Sequence, residues 1–305
     1  MRDTTVSVSD RMGYLGGSDS AAVCGLSPWK TPYELYLEKV GEKEQDDLEG
    51  NERVYWGTVL EAILAREYTR RTDGKVRRVS ALIRDSELPY LAVHIDRDIL
   101  NSNGILECKT AGSRVAQHWG EAGTDEIAEY YLPQAQHTLM VTKAEFVDVA
   151  VLIGGNEFRL YHVDRDDEYI ELLRETEIRF WQRVVDRDPP DPETIADARL
   201  AWQSGEGVVE GDDAAYAAAV SLQEYTDEIK HLTEMADAER LKLIRAMADD
   251  GHTLTFDNRK LATWKEQIGR TTIDRTALQS EYPEVYEEVK KVGNPFRVFR
   301  ASKIG

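Results

Sequence analysis

The sequence predicts an α/β (α+β) chain in which a sheet-bearing part is followed by a mainly helical C-terminal extension. Three observations carry that expectation. Short strand patterns over residues 76–109 lie between helical patterns on either side. A hairpin pattern, Phe146–Ile153 and Glu157–Val163 around Gly154-Gly155-Asn156, is followed by a long amphipathic stretch over about 166–185. After Asp188-Pro189-Pro190-Asp191-Pro192 the apolar residues change to alternating steps of three and four. The 305 residues can bury a sizeable core, either as one large domain or with a smaller companion. The proline cluster is taken as the boundary, giving a core over 1–188 and an extension over 189–305 to which the sequence assigns no role.

Each element has a local reason. Gly16-Gly17-Ser18-Asp19 is a helix start, with Ser18 or Asp19 able to accept from free N–H groups ahead of Ala21-Ala22-Val23. Ser27-Pro28-Trp29 ends that helix, and Thr31-Pro32 opens another that places Tyr33, Leu37 and Val40 on one face. An acidic loop, Glu42–Asn51, precedes a helix from about Arg53 to Arg71. Val76–Ile83, Leu91–Ile95 and Ile105–Lys109 read as strands separated by Asp-Ser and Asn-Ser-Asn-Gly turns. A helix over Ile127–Thr142 carries Tyr130, Tyr131, Gln134 and His137. Beyond the prolines, Ala215, Ala218, Leu222, Tyr225, Ile229, Leu232 and Ala236 form the seam of a coiled coil or helical hairpin. The tail reads as a hairpin over Thr253–Lys265, a helix after Pro283 and a basic strand Phe296–Lys303.

Composition narrows the function classes. With 41% hydrophobic and 31% charged residues, six Trp and fourteen Tyr, the chain is globular and not disordered. No apolar run approaches the roughly 20 residues of a membrane span, and the first residues lack a signal-like apolar core, so a cytoplasmic protein without a membrane partner is expected. Cys24 and Cys108 alone supply neither a disulfide framework nor a four-cysteine metal or iron–sulfur site. A net charge of −19 argues against non-specific nucleic-acid binding, but it speaks to long-range repulsion and not to what one cleft can hold.

The chemistry points to His94-Ile95-Asp96-Arg97-Asp98 followed by Gly104-Ile105-Leu106-Glu107-Cys108-Lys109. On a strand, Glu107 and Lys109 share one face and Cys108 takes the other. A preceding strand ending near Asp96 brings a second carboxylate alongside. Two close carboxylates raise each other's pKa, so the pair makes sense mainly around a divalent cation, and Mg²⁺ suits few carboxylates and several waters. Lys109 could then hold an attacking water and offset charge on a phosphate. Trp29, Trp56 and Trp119 are expected in the core and not as base-stacking platforms, His137 as a polar core or cleft residue, and Cys108 as buried and inert.

Beyond the residue types, the chain resembles the YqaJ/lambda-exonuclease family of phage recombination nucleases, within the PD-(D/E)xK superfamily. The resemblance rests on motifs in order: Gly16-Gly17-Ser18-Asp19 with Leu26-Ser27-Pro28-Trp29, then Trp56-Gly57-Thr58-Val59-Leu60-Glu61, Asp96, Leu106-Glu107-Cys108-Lys109 and Tyr131-Leu132-Pro133-Gln134-Ala135-Gln136. It spans about residues 11–185. It implies a central mixed sheet flanked by helices and an Mg²⁺-dependent (or Mn²⁺-dependent) exonuclease with two ions per site. Such an enzyme degrades one strand of linear duplex DNA from its 5′ end, leaving 3′ overhangs for recombination. Carried over, Asp96 bridges both ions, Glu107 and the Cys108 carbonyl bind one, and Glu61 binds the other. Lys109 positions the water, Gln134 supports it, and Arg11 and Ser18 contact the 5′ phosphate, with Arg53 a looser match. The family often has Pro or Ser before the aspartate and Gly after it; Ile95 and Arg97 depart from that, which keeps Asp98 as an alternative ligand. The resemblance also implies DNA ends, a single-strand annealing protein of RecT/Bet type, a homo-oligomeric ring, and a phage or prophage gene acting in a bacterial cytoplasm.

Two other readings remain open on sequence. One is a repair or restriction nuclease with the same core. The other is an acidic DNA mimic or non-catalytic recombination scaffold, which −19 favours and the intact Glu61, Asp96, Glu107, Lys109 set disfavours.

Overall fold

The computed structural model describes residues 11–43, 50–205, 207–248, 251–293 and 297–302. In its N-terminal region lie helices α1 (Gly17–Val23), α2 (Pro32–Lys39) and α3 (Glu52–Thr72). Asp19 reaches back from the first turn of α1 to accept from the Gly16 N–H at 3.0 Å, while Ser18 stays exposed. Thr31 and Glu34 form a reciprocal cap at α2, each side chain accepting from the other residue's backbone N–H, with Pro32 in the first turn. Asn51 caps α3 by accepting from Arg53 N at 3.0 Å. Asp73 ends it in the left-handed region at φ 58.

Five strands form one sheet: β1 (Val76–Arg78), β4 (Arg97–Ile99), β5 (Gly104–Ala111), β6 (Phe146–Ile153) and β7 (Glu157–Asp164), in the order β1-β4-β5-β6-β7. β5 and β6 run parallel and the other pairs antiparallel, so the sheet is mixed, as expected. β2 (Ile83–Arg84) and β3 (Ala92–Val93) form a separate two-stranded ribbon. The stretch read as one strand from Val76 to Ile83 is therefore two short ones. The stretch read as Leu91–Ile95 keeps strand geometry over two residues only. Helix α4 (Leu132–Thr142) lies in the crossover between parallel β5 and β6, and α5 (Asp167–Asp186) follows the β6–β7 hairpin. That hairpin turns at Gly154 and Gly155, both at positive φ, where a side chain would be strained.

Helices cover both sheet faces. Ile105, Val147, Val149 and Val151 pack with Leu139 of α4 and Leu35 of α2 in the larger core. Leu106 and Ala150, alternating to the opposite face, pack with Ala65 and Tyr68 of α3 in a smaller one.

The chain divides into two compact units, Met1–Ala201 and Trp202–Gly305. In the first, α6 (Ile195–Ala201) is tied down by buried Asp197, which accepts from Thr31 Oγ1 at 2.8 Å and from the N–H groups of Glu193 and Thr194. In the second, the heptad seam lies on one unbroken helix, α7 (Asp213–Met247), with Leu222, Tyr225, Ile229 and Leu232 exposed. A hairpin of β8 (Thr253–Phe256) and β9 (Arg259–Thr263) and two short helices, α8 (Arg275–Glu281) and α9 (Pro283–Val289), complete it. Of the expected basic strand, residues 297–302 are described and carry no strand; Phe296 and Lys303 lie outside the described residues. Among the described residues, no helix is long and apolar enough to cross a membrane.

Candidate active site

Strand β5 presents Glu107 and Lys109 on one face, as its period of two requires. Lys109 Nζ lies 2.8 Å from Glu107 Oε1 and donates to Gln134 Oε1 at 3.0 Å. Gln134 Nε2 donates in turn to Glu107 Oε1 at 2.9 Å, closing a three-membered ring of contacts between β5 and α4. The Tyr131 ring lies 4.8 Å from the ammonium. Gly17 lets α1 approach this corner closely, since a Cβ there would stand 3.3 Å from Gln134 Cγ.

Asp96 comes from the short link between β3 and β4. Its Oδ2 accepts from Cys108 N at 2.8 Å, which fastens the carboxylate to the middle of β5. Burial, then the charge of Glu107, push its pKa up to about 8; Glu61 adds to the rise, while the Cys108 N–H and Lys109 oppose it. Burial alone would lower the pKa of Lys109, but Glu107, Tyr131 and Asp96 outweigh it and the ammonium is held above its ordinary value. Burial and the surrounding acids push the Cys108 thiol well up, consistent with the inert role expected of it.

Glu61 arrives from α3, whose Gly57 sits one turn earlier, where a Cβ would stand 3.8 Å from Thr110 Oγ1 of β5. It does not stand free: Arg97, only 7% exposed, ion-pairs with it and also donates to the Asp96 carbonyl at 2.6 Å. The residue that departs from the family pattern is thus part of the site. Sequence reading gave no sign of this, because a buried arginine on a strand declares itself only once its partner acid is in place. Asp98 faces elsewhere, in a surface pair with Arg77 at 2.6 Å.

A cavity of about 460 Å³ opens beside these groups, and Arg11, Ser18, Asp96, Glu107 and Gln134 all line it. Lys109 lines a small adjoining recess with Glu107, Tyr131 and Gln134. Arg53 is exposed on the first turn of α3, and neither it nor Glu61 lines the main cavity. Sequence reading also missed Lys39 on the cavity wall. Its buried ammonium donates to the carbonyls of Arg11 and Tyr14, at 2.9 and 2.6 Å, and to Asp19 Oδ2 at 2.7 Å. It thereby fixes the segment that carries Arg11 and Ser18.

The donor chemistry fits a hard divalent cation. Asp96 and Glu107 face one cavity, and the charge of Glu107 adds to the cost of ionising buried Asp96, a cost that a bound cation offsets. As the side chains stand, no three His, Cys, Asp or Glu groups among the described residues close around one point. Glu61 is turned to Arg97 and Glu107 to Lys109.

Comparison with known proteins places this geometry in context. Residues 8–145 match the family described as the YqaJ-like viral recombinase domain. Over 293 residues the chain is 34% identical to the Bacillus subtilis (strain 168) protein YqaJ, covering 92% of this chain and 89% of that one. Among solved structures it is similar to an alkaline exonuclease from Laribacter hongkongensis, at 16% identity and TM-score 0.47 over 59% of this chain and 92% of that one. A phage-related exonuclease from Haemophilus somnus 129PT is similar at 11% identity and TM-score 0.42, over 57% and 96%.

Proposed function

The chain belongs to the YqaJ-like viral recombinase family, and from that premise and the site together we propose that it is a deoxyribonuclease, a phosphodiester hydrolase that degrades one strand of linear duplex DNA from its 5′ end. The observation that carries the proposal is the convergence of Asp96 and Glu107 on one cavity with Lys109 and Gln134 bonded behind them.

In this reading Asp96, Glu107 and the Cys108 carbonyl would hold Mg²⁺ or Mn²⁺, and Glu61, here paired with Arg97, would hold a second ion. Cations bound there would lower the pKa of the attacking water and polarise the scissile phosphate. Lys109 orients that water by hydrogen bonding and offsets charge that builds on the phosphate oxygens. Gln134 fixes the Lys109 ammonium and the Glu107 carboxylate in register with each other. Arg11 and Ser18, steadied by Lys39, take the terminal 5′ phosphate across the cavity, with Arg53 a more distant contact. The product is a duplex with a 3′ single-stranded overhang, the substrate of an annealing protein of RecT/Bet type. A ring of several copies around the DNA, acting in the cytoplasm of the bacterial host, completes the proposal. The acidic-mimic alternative has no use for a lysine inside a carboxylate cluster.

The test is degradation of end-labelled linear duplex against closed circular plasmid, with Mg²⁺ and with EDTA. Release of nucleotides from linear DNA alone, only with metal and faster with a 5′ phosphate, is expected. Lys109→Ala should lower the rate by about 10²–10⁴-fold while leaving the fold and end binding largely intact. Equal cutting of the circle, or cutting in EDTA, would refute the proposal.

A further inference from the structure

Trp29, Trp56 and Trp119 are expected in the core on sequence grounds; the structure buries Trp119, leaves Trp56 of α3 51% exposed, and puts Trp29 outside with 64% of the residue exposed. It lines the same cavity as Asp96 and Glu107. An exposed indole on a loose tip would mean little, but this one is held. Pro28 restricts the backbone before it, and its own N–H donates to Ser27 Oγ at 3.2 Å. The next residue, Lys30, is ion-paired with buried Glu38, and Thr31 after it bonds buried Asp197. The ring itself meets Tyr130 nearly perpendicularly, with centroids 4.9 Å apart, and lies 6.2 Å from Tyr131. Because the Tyr131 ring also lies 4.8 Å from Lys109 Nζ, a continuous aromatic rank runs from the lysine out to the open indole.

A strand whose phosphate enters this cavity must leave its complement, so the base beside that phosphate loses its pairing and stacking partners. A rigid aromatic surface at the entrance restores the stacking without regard to sequence. We propose that Trp29 is a stacking platform for an unpaired nucleobase of the strand whose phosphate lies between Asp96 and Lys109. This rests on the deoxyribonuclease reading and adds a base-binding position to it.

The test is binding of a labelled single-stranded oligodeoxynucleotide to the full chain in Ca²⁺, with matched oligonucleotides carrying one abasic residue at successive terminal positions. Stacking predicts that Trp29→Ala weakens binding by about tenfold and that Trp29→Phe stays within a few-fold of wild type. At one terminal position the abasic residue should weaken wild-type binding to a similar extent and add nothing to the Ala variant. That non-additivity is a readout a purely structural role would not produce. An abasic penalty equal in both proteins, or unchanged binding by the Ala variant, overturns the platform. Unchanged binding with an altered oligomeric state would make Trp29 a contact between copies instead, which also overturns it. If wild type cuts linear duplex while these effects are missing, only the platform falls. If it neither binds oligonucleotides nor cuts duplex, the nuclease reading falls with it.

Discussion

Asp96 and Asp98 stand two positions apart and serve different ends. Asp98 is 31% exposed by side chain and paired with Arg77, itself 67% exposed, an arrangement worth about 0–1 kcal/mol. Asp96 is pinned to the Cys108 N–H and faces Glu107, which pushes its pKa up together with burial. A cation binding there stabilises the folded chain by mass action, by about 2.7 kcal/mol when its concentration is a hundred times Kd. Titrating Mg²⁺ during thermal unfolding should therefore raise the melting temperature of wild type and of Asp98→Asn. It should not raise that of Asp96→Asn. A shift that survives Asp96→Asn and disappears in Asp98→Asn would move the ligand to the other aspartate.

Between elements, the main fastening is a fully buried network. Glu177 of α5 accepts from Ser20 Oγ of α1 at 2.7 Å and pairs with His137 Nδ1 of α4 at 2.8 Å. His137 Nε2 lies 3.1 Å from the Ala92 carbonyl of β3, which can only accept. With both ring nitrogens donating, His137 would be an imidazolium facing Glu177. Burial lowers its pKa, but Glu177 and the Ala92 carbonyl outweigh burial and the net shift is upward. A raised folded pKa gives stability that is full below the unfolded value, about 6.5, and is lost as pH rises through the folded value. Wild type should thus become less heat-stable as pH rises from about 6 towards 9. Glu177→Gln should flatten that decline and destabilise by about 3–5 kcal/mol at pH 6, by leaving the imidazolium unpaired. A decline equally steep in the variant would rule this pair out as its cause. Apart from His137, read as a polar core or cleft residue, this network was not legible in the sequence, since its members lie 40 to 157 positions apart. What was legible is what local periodicity writes: the helix read from Arg53 to Arg71 is Glu52–Thr72, and the hairpin read at 146–163 ends one residue later. Strands of two or three residues, such as β3 and β4, are too short to show a period. The site could be read as residue types and a shared face on β5. The Arg97–Glu61 pairing and the exposure of Trp29 could not, because each depends on which distant segment packs alongside.

Across the whole molecule, burial is uneven. Both hydrophobic clusters lie within residues 15–201, whereas Met247 is the one buried residue after 201 among those described. A 35-residue helix that leaves Leu222, Tyr225, Ile229 and Leu232 in water is not built to be stable by its own packing. All the groups assigned to cleavage, Glu61, Asp96, Glu107, Lys109 and Gln134, belong to the first unit, as do the network that fastens its helices and the Asp197 anchor of α6. Folding and chemistry are therefore expected to reside in residues 1–201, and the extension to serve contacts with other molecules. A chain ending at Ala201 should unfold cooperatively near the wild-type temperature and still release nucleotides from end-labelled duplex at a rate per site within a few-fold of wild type. What it should lose is persistence on one DNA molecule, seen as shorter tracts degraded when unlabelled competitor is added after binding. An unfolded fragment, or a folded one that binds metal but does not cut, would place an essential part of the active site beyond Ala201 and overturn this division of labour.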